Sequence, residues 1–132
     1  IEFCKLALTE TKERARTVVV ELERRRPDFD VPLGIHVNGC PNACARTQVG
    51  DIGLKGMIHR TESGELEEIF QVHLGGGLGA TPSVARKTRA LKVSAGDLPD
   101  YIERVTGRYL EQRAEGEGFA AWAHRADEEE LR

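Results

Sequence analysis

Residues 31–46 read VPLGIHVNGCPNACAR. Val31, Leu33, Ile35 and Val37 take every second position, the period of a strand with one buried face. Cys40 and Cys44 follow at once, four residues apart, in a segment that Gly39 and Pro41 keep from regular structure. A strand running into a cysteine-bearing loop is the centre from which the rest of the chain is read.

Upstream, residues 9–26 (TETKERARTVVVELERRR) predict a helix. Ala15, Val18, Val19 and Leu22 fall at i, i+3, i+4 and i+7, and Pro27 marks the stop. Downstream, residues 51–61 (DIGLKGMIHRT) and 66–74 (LEEIFQVHL) predict a hairpin around the polar stretch 62–65. Gly75, Gly76, Gly77 and Gly79 then make a flexible loop, and residues 81–92, with Arg86, Lys87, Arg89 and Lys92, predict a short helix. Asp97 as cap and Pro99 in the first turn open a second strong helix with a stripe of Leu98, Ile102, Val105 and Tyr109. EGEGF at 115–119 breaks it, and residues 119–132 read as a last helical segment with an acidic end. No repeat, low-complexity tract or long linker divides the chain, so residues 1–132 are expected to form one domain. The order helix, strand, hairpin, helix, helix predicts an α+β fold, a small mixed or antiparallel sheet covered by helices.

Composition narrows the function. Hydrophobic residues make up 39% and charged residues 31% of the 132, which is globular rather than disordered. A net charge of -3 gives no case for nucleic acid, and no apolar run approaches the roughly 20 residues of a membrane span. The chain opens on Ile1 without a signal peptide, so a piece of a longer protein is expected. Three cysteines in a domain of this size do not make a secreted disulfide framework, and a reducing, cytoplasmic setting is the better expectation.

The third cysteine is Cys4. Free cysteine often serves as a small core hydrophobe, yet Cys40 and Cys44 lie in a polar Gly/Pro/Asn loop. Thiol–disulfide exchange favours C-x2-C at a helix start. Zinc held by Cys4, Cys40, Cys44 and a histidine is one alternative. His36 and His73 in predicted strands, and His59 near a hairpin end, read more simply as partly buried histidines. An iron–sulfur cluster ordinarily takes four thiolates. With three in the chain, a fourth ligand would come from outside it.

The words around the cysteines add a resemblance. Phe3-Cys4-Lys5-Leu6-Ala7 with Thr11-Lys12, then Asn38-Gly39-Cys40-Pro41-Asn42-Ala43-Cys44-Ala45-Arg46, then Asp51-Ile52-Gly53-Leu54-Lys55-Gly56, resemble the sirohaem-dependent nitrite and sulfite reductases. Val72-His73-Leu74-Gly75-Gly76 and Glu115-Gly116-Glu117-Gly118-Phe119 are similar to later words of that family, so the likeness spans nearly the whole chain. In the family a C-x5-C pair and a C-x3-C pair hold a [4Fe-4S] cluster. Cys40 and Cys44 match the second pair and Cys4 the second cysteine of the first, whose partner would fall three residues before Ile1.

The resemblance implies that Cys4, Cys40 and Cys44 bind the cluster, and that the Cys44 thiolate is shared with the iron of a sirohaem. It implies that Gly39, Pro41 and Gly53 let backbone amides approach the cluster, that Asn42 points at the haem edge or makes an Asx turn, and that Arg46 pairs with a sirohaem carboxylate. Arg86, Lys87 and Arg89 are further carboxylate partners on this view, and the Gly75–Gly79 loop either offers amides or turns the chain. The implied activity of the full-length protein is six-electron reduction of sulfite to sulfide with electrons from ferredoxin, the alternative being nitrite to ammonia. The catalytic basic residues for the small anion substrate would lie in the remainder of the polypeptide. This C-terminal portion alone is expected to be inactive and to fold largely without cofactor.

Overall fold

A computed structural model describes residues 3–132. In chain order the elements are α1 (Lys12–Arg25), β1 (Ile35–Asn38), β2 (Ile52–Arg60), β3 (Leu66–Leu74), β4 (Arg86–Ser94), α2 (Leu98–Gln112) and α3 (Phe119–Arg125). One sheet runs in the order β1-β2-β3-β4. β1 pairs with β2 in parallel, Ile35 opposite Ile52, while β2–β3 and β3–β4 are antiparallel. The sheet is therefore mixed, and the expected α+β class holds.

All three helices lie on one face of the sheet, because only that face is apolar. Ile52 and Leu54 of β2 and Phe70, Val72 and Leu74 of β3 are fully buried there. Against them pack Leu98, Ile102 and Val105 of α2 and Val18 of α1. Tyr109, Phe119 and Trp122 close the far end as an aromatic group with centroid separations of 5.4–5.7 Å, the offset and edge-on spacing aromatic rings prefer. The Trp122 indole N–H reaches Gln112 Oε1 at 3.0 Å and the Tyr109 hydroxyl reaches the Glu117 carbonyl at 2.6 Å, so neither ring buries an orphaned donor.

Several expectations change. Residues 81–92 are not a short helix: Arg86–Ser94 is the edge strand β4. Its alternation is hidden by a register shift opposite Gln71 and His73 and by Ala90 at φ 54°. The Gln71 side-chain amide fills the gap, donating to the carbonyls of Thr88 (3.2 Å) and Leu91 (2.9 Å). The strand expected from Val31 forms only over Ile35–Asn38, with Val31 and Leu33 packed on the core as irregular chain. Val19, placed in the inward stripe of α1, is 45% exposed; Val18 and Leu22 face the core. The last segment is helical only to Arg125, and beyond it Leu131 is buried, its carbonyl accepting the Tyr101 hydroxyl at 2.9 Å. Among the described residues no helix is long and apolar enough to cross a membrane.

Candidate functional site

The other face of the sheet carries the loop at residues 39–50. It crosses β2 at Gly53, where a Cβ would stand 2.1 Å from the Thr47 carbonyl oxygen. It passes Gly76 as closely, 2.4 Å from the Gln48 carbonyl oxygen to a built Cβ. Only glycine lets two backbones approach in this way. The Gln48 and Gly50 carbonyls then accept the amides of Ala85 and Gly76 at 2.8 and 3.0 Å, so the returning half of the loop is fastened to the strand ends.

Cysteine positions follow from three attachments. The Gly39 carbonyl accepts the amides of Leu8 (2.7 Å) and Thr9 (3.0 Å), drawing the segment before α1 against the end of β1. Cys4 is thereby brought to Cys40. From Cys40 the chain makes successive tight turns, Ala43 N–H to the Cys40 carbonyl at 3.2 Å and Arg46 N–H to the Ala43 carbonyl at 2.8 Å. Ala43 and Arg46 both lie in the left-handed region, φ 53° and 55°, which side-chain-bearing residues seldom occupy. Two side chains of β1 hold the turn. Asn38, 4% exposed, accepts the Ala45 N–H on Oδ1 at 2.6 Å and donates from Nδ2 to the Leu54 carbonyl at 3.4 Å. His36 Nδ1 lies 2.8 Å from the Ala45 carbonyl and 3.1 Å from that of Arg46. Two acceptors require Nδ1 to carry the proton.

The result is a cavity of about 200 Å³ lined by all three cysteines, with Ala7, Val37 and Ala43 among its apolar walls. Every cysteine is a free thiol, Cys4 and Cys44 exposed and Cys40 half-buried. Among the described residues no three His, Cys, Asp or Glu side chains come close enough to hold one metal ion. No histidine lines the cavity: His36 holds the loop, and His124 Nε2 contacts the Gly75 carbonyl at 2.8 Å. Three thiols around one hollow, too far apart for a single ion, suit a polynuclear group. A soft all-thiolate donor set suits iron–sulfur chemistry.

Around the cavity the sequence-derived candidates separate. Asn42 is exposed, as is Arg46, and neither lines the cavity. Arg46 contributes its carbonyl to the His36 contact. Arg86 is turned toward the end of α3: its Nη1 donates to the carbonyls of Ala123, His124 and Ala126 at 3.2, 3.4 and 2.9 Å. Lys87 and Arg89 are exposed on β4. Paired with Gly53 and Lys87 across the sheet, His73 is 8% exposed and its Nε2 has no partner. Burial first, then the charges of Lys55 and Lys87, push its pKa below the ordinary histidine value. Asp51, at the foot of the loop, has its pKa raised by burial, partly offset by the Gly34 N–H at 2.8 Å.

His36, Asn38 and Thr47 were not among the functional residues read from sequence. The available signal was their alternation: residues 36 and 38 are the polar positions of a strand whose apolar ones face the core.

The family described as "Nitrite and sulphite reductase 4Fe-4S domain" matches residues 2–132. The chain is 57% identical over 136 residues to "Sulfite reductase [ferredoxin] 1" of Mycolicibacterium paratuberculosis, covering 100% of this chain and 24% of that protein. It is 35% identical to the "Assimilatory ferredoxin-dependent nitrite reductase" of Haloferax mediterranei, over 92% of this chain and 21% of that protein. The solved "Structure of Mycobacterium tuberculosis NirA protein" superposes with a TM-score of 0.92 at 50% identity, over 100% of this chain and 25% of that one. The chain thus spans about a quarter of the length of these relatives.

Proposed function

Because the chain belongs to the nitrite and sulphite reductase 4Fe-4S domain family, we propose that it is the C-terminal, cluster- and sirohaem-binding part of a ferredoxin-dependent sulfite reductase. The observation that carries this reading is the single cavity to which Cys4, Cys40 and Cys44 converge from positions up to 40 residues apart. Cys4, Cys40 and Cys44 would hold a [4Fe-4S] cluster, with a further ligand from elsewhere in the polypeptide. When bound, cluster and sirohaem would supply one-electron chemistry for the reduction of a small anion. Cys44, on the exposed limb of the turn, would be the thiolate common to the two groups. The chain's own part is to fix these sulfurs, exclude bulk water behind them with Ala7 and Val37, and present cations to the cofactor's carboxylates. Arg46, Lys55, Lys87 and Arg89 form no ion pair with a carboxylate among the described residues and suit that last task. Arg86 is withdrawn from it by α3. Asn42, exposed beside Cys44, is left free to face the haem edge.

Sulfite over nitrite is supported by the identities, 57% to the sulfite reductase against 35% to the nitrite reductase. Ferredoxin as donor rests on the same relatives. A reducing, cytoplasmic compartment belongs to the reading, since ligating thiols must stay reduced. The test is the full-length protein purified without oxygen: about four iron and four sulfide per chain, a sirohaem absorption, and a higher kcat/KM for sulfite than for nitrite with reduced ferredoxin. A chain that binds iron and sulfide but turns over only nitrite would overturn the substrate. Iron and sulfide retained undiminished when Cys40 is replaced by Ser would overturn the site.

A further inference from the structure

The backbone of residue 45 is held at both of its polar groups by side chains two positions apart on one strand. Asn38 Oδ1 accepts the Ala45 N–H at 2.6 Å, and His36 Nδ1–H donates to the Ala45 carbonyl at 2.8 Å. Both side chains rise from β1 on the face away from the helices, and β1 is fastened to β2 from Ile35–Ile52 to Asn38–Lys55. The grip is rigid at its base. Asn38 is anchored a second time by its Nδ2 on the Leu54 carbonyl. The imidazole of His36 also lies close to the far limb of the loop at Gly50, where a Cβ would stand 2.7 Å from its Cδ2.

What is gripped is the residue directly after Cys44. The turn leading to it contains two non-glycine residues at positive φ, Ala43 and Arg46, one on each side of the held residue. Such conformations are costly and persist only where surrounding contacts over-determine them. Within this turn, the Ala43 and Arg46 amides donate only to carbonyls of the turn itself. Without the two side chains, Cys44 would sit on an exposed turn free to relax.

We infer that His36 and Asn38 are positioning residues that fix the Cys44 sulfur in register with the sheet, and so set the geometry between the two groups that share it. The inference rests on the proposed ligand role of Cys44. Asn38 supplies the acceptor and His36 the donor, and because both stand on one short strand they act on Ala45 as a unit. His36 thus works as an Nδ1–H donor that holds the loop.

The experiment uses the full-length reductase and pairs each disruptive variant with one that restores the contact. His36→Leu removes the donor; His36→Asn returns an amide N–H near the place of Nδ1. Asn38→Leu removes the acceptor; Asn38→Asp keeps Oδ1 for the Ala45 amide but gives up the Nδ2 donor to the Leu54 carbonyl. The first readout is the magnetic coupling of cluster and haem, by Mössbauer or electron paramagnetic resonance spectroscopy, with iron and sulfide measured on the same samples. His36→Leu and Asn38→Leu should retain iron and sulfide while the coupled fraction of haem falls several-fold; His36→Asn should recover it, and Asn38→Asp should recover only part, having lost the Nδ2 anchor on the Leu54 carbonyl. The second readout needs no cofactor. In apoprotein, the Ala45 amide, which donates to Asn38 Oδ1, should exchange for deuterium about tenfold faster in the disruptive variants, the population change expected on losing hydrogen bonds of ordinary net worth. The Leu8 amide, held by the Gly39 carbonyl in the same molecules, serves as internal reference and should not change.

A general loosening of the fold would speed both amides, and the conservative variants would not rescue it. That outcome, or wild-type coupling and a wild-type Ala45-to-Leu8 exchange ratio in His36→Leu, overturns the inference. Cys44→Ser separates the two levels: coupling that survives it means that Cys44 is not the shared ligand, whatever holds its loop. If a disruptive variant loses iron altogether, the amide-exchange ratio in apoprotein still decides.

Discussion

Replacing Gly53 by alanine tests whether the cysteine loop is laid on the sheet or merely lies near it. The added methyl carbon would stand 2.1 Å from the Thr47 carbonyl oxygen and 2.8 Å from its carbonyl carbon and Cα, all backbone atoms. Real contacts of this kind do not fall below 3.0 Å, so Thr47 must retreat by about 0.9 Å. No rotamer change relieves it. The loop cannot retreat freely either, because the Gln48 carbonyl accepts the Ala85 amide and the Gly50 carbonyl the Gly76 amide. Overpacking of this sort costs about 1–3 kcal/mol, and a weakened hydrogen bond adds about 1. The expected loss is therefore about 2–4 kcal/mol, read as a lower urea midpoint at nearly unchanged slope. For a domain of this size it lowers Tm by roughly 6–16 °C. Gly79→Ala is the control, since nothing lies within 4 Å of a Cβ there, and it should stay within about 0.5 kcal/mol. The same Gly53 variant should bind less iron, because the displaced limb continues into Cys44. A Gly53→Ala protein within about 0.5 kcal/mol of wild type, with full iron content, would refute the loop's close seating.

Three further outcomes are expected. Cys44→Ser in the full-length enzyme should abolish cluster–haem coupling and six-electron turnover even where sirohaem is retained; near-wild-type turnover would mean that another residue bridges. Arg86→Met should cost about 1–2 kcal/mol in urea unfolding through the three α3 carbonyls it leaves bare, without reducing sirohaem content, whereas loss of sirohaem at unchanged stability would return Arg86 to the cofactor. Glu117 is held down to about 2 from 4.5, first by its hydrogen bond with Arg125 and then by the Ala114 amide. Because the folded value is the lower one, this stabilisation is complete above pH 4.5 and drains away as pH falls toward about 2, so Glu117→Gln should flatten that part of the Tm–pH curve and leave it unchanged if the pair contributes nothing.

How much was legible in sequence depends on how local the cause was. The helix α2 is announced by Pro99 and a regular stripe, and its burial follows from the chain alone. The β2–β3 hairpin is equally plain because nine consecutive residue pairs keep one register, from Ile52–Leu74 to Arg60–Leu66. The edge strand β4 was misread because its periodicity is interrupted where Gln71 substitutes side chain for backbone, an event set by the neighbouring strand. In the site, the residue types Cys4, Cys40 and Cys44 were visible, but their meeting depends on the Gly39 carbonyl turning toward Leu8 and Thr9. The part played by His36 and Asn38 was illegible for a different reason. Each looks like an ordinary solvent-side strand residue until the loop folds back over it, and no local rule says that it will.

The core of the described residues is built apart from the cysteine loop. Every side chain of the central cluster, from Ile52 and Phe70 to Trp122, lies between the sheet and the helices. None is a cysteine, and none belongs to residues 39–50. Strain is confined to the opposite face. Two positive-φ residues stand in the 39–50 turn, and Ala90 stands at the β4 irregularity. Left-handed backbone is affordable there because its cost of about 1–3 kcal/mol per residue falls on a loop pinned by side chains rather than on the hydrophobic packing. A rigid, independently buried sheet supplies the reference frame, and β1 carries that frame in two directions at once. Ile35 and Val37 face the core, while His36 and Asn38 hold Ala45. A change in core packing that tilts β1 therefore moves Ala45, and with it Cys44, through two hydrogen bonds. That link follows from alternation along a four-residue strand, and it makes β1 one element through which core packing and the geometry of the thiols are coupled.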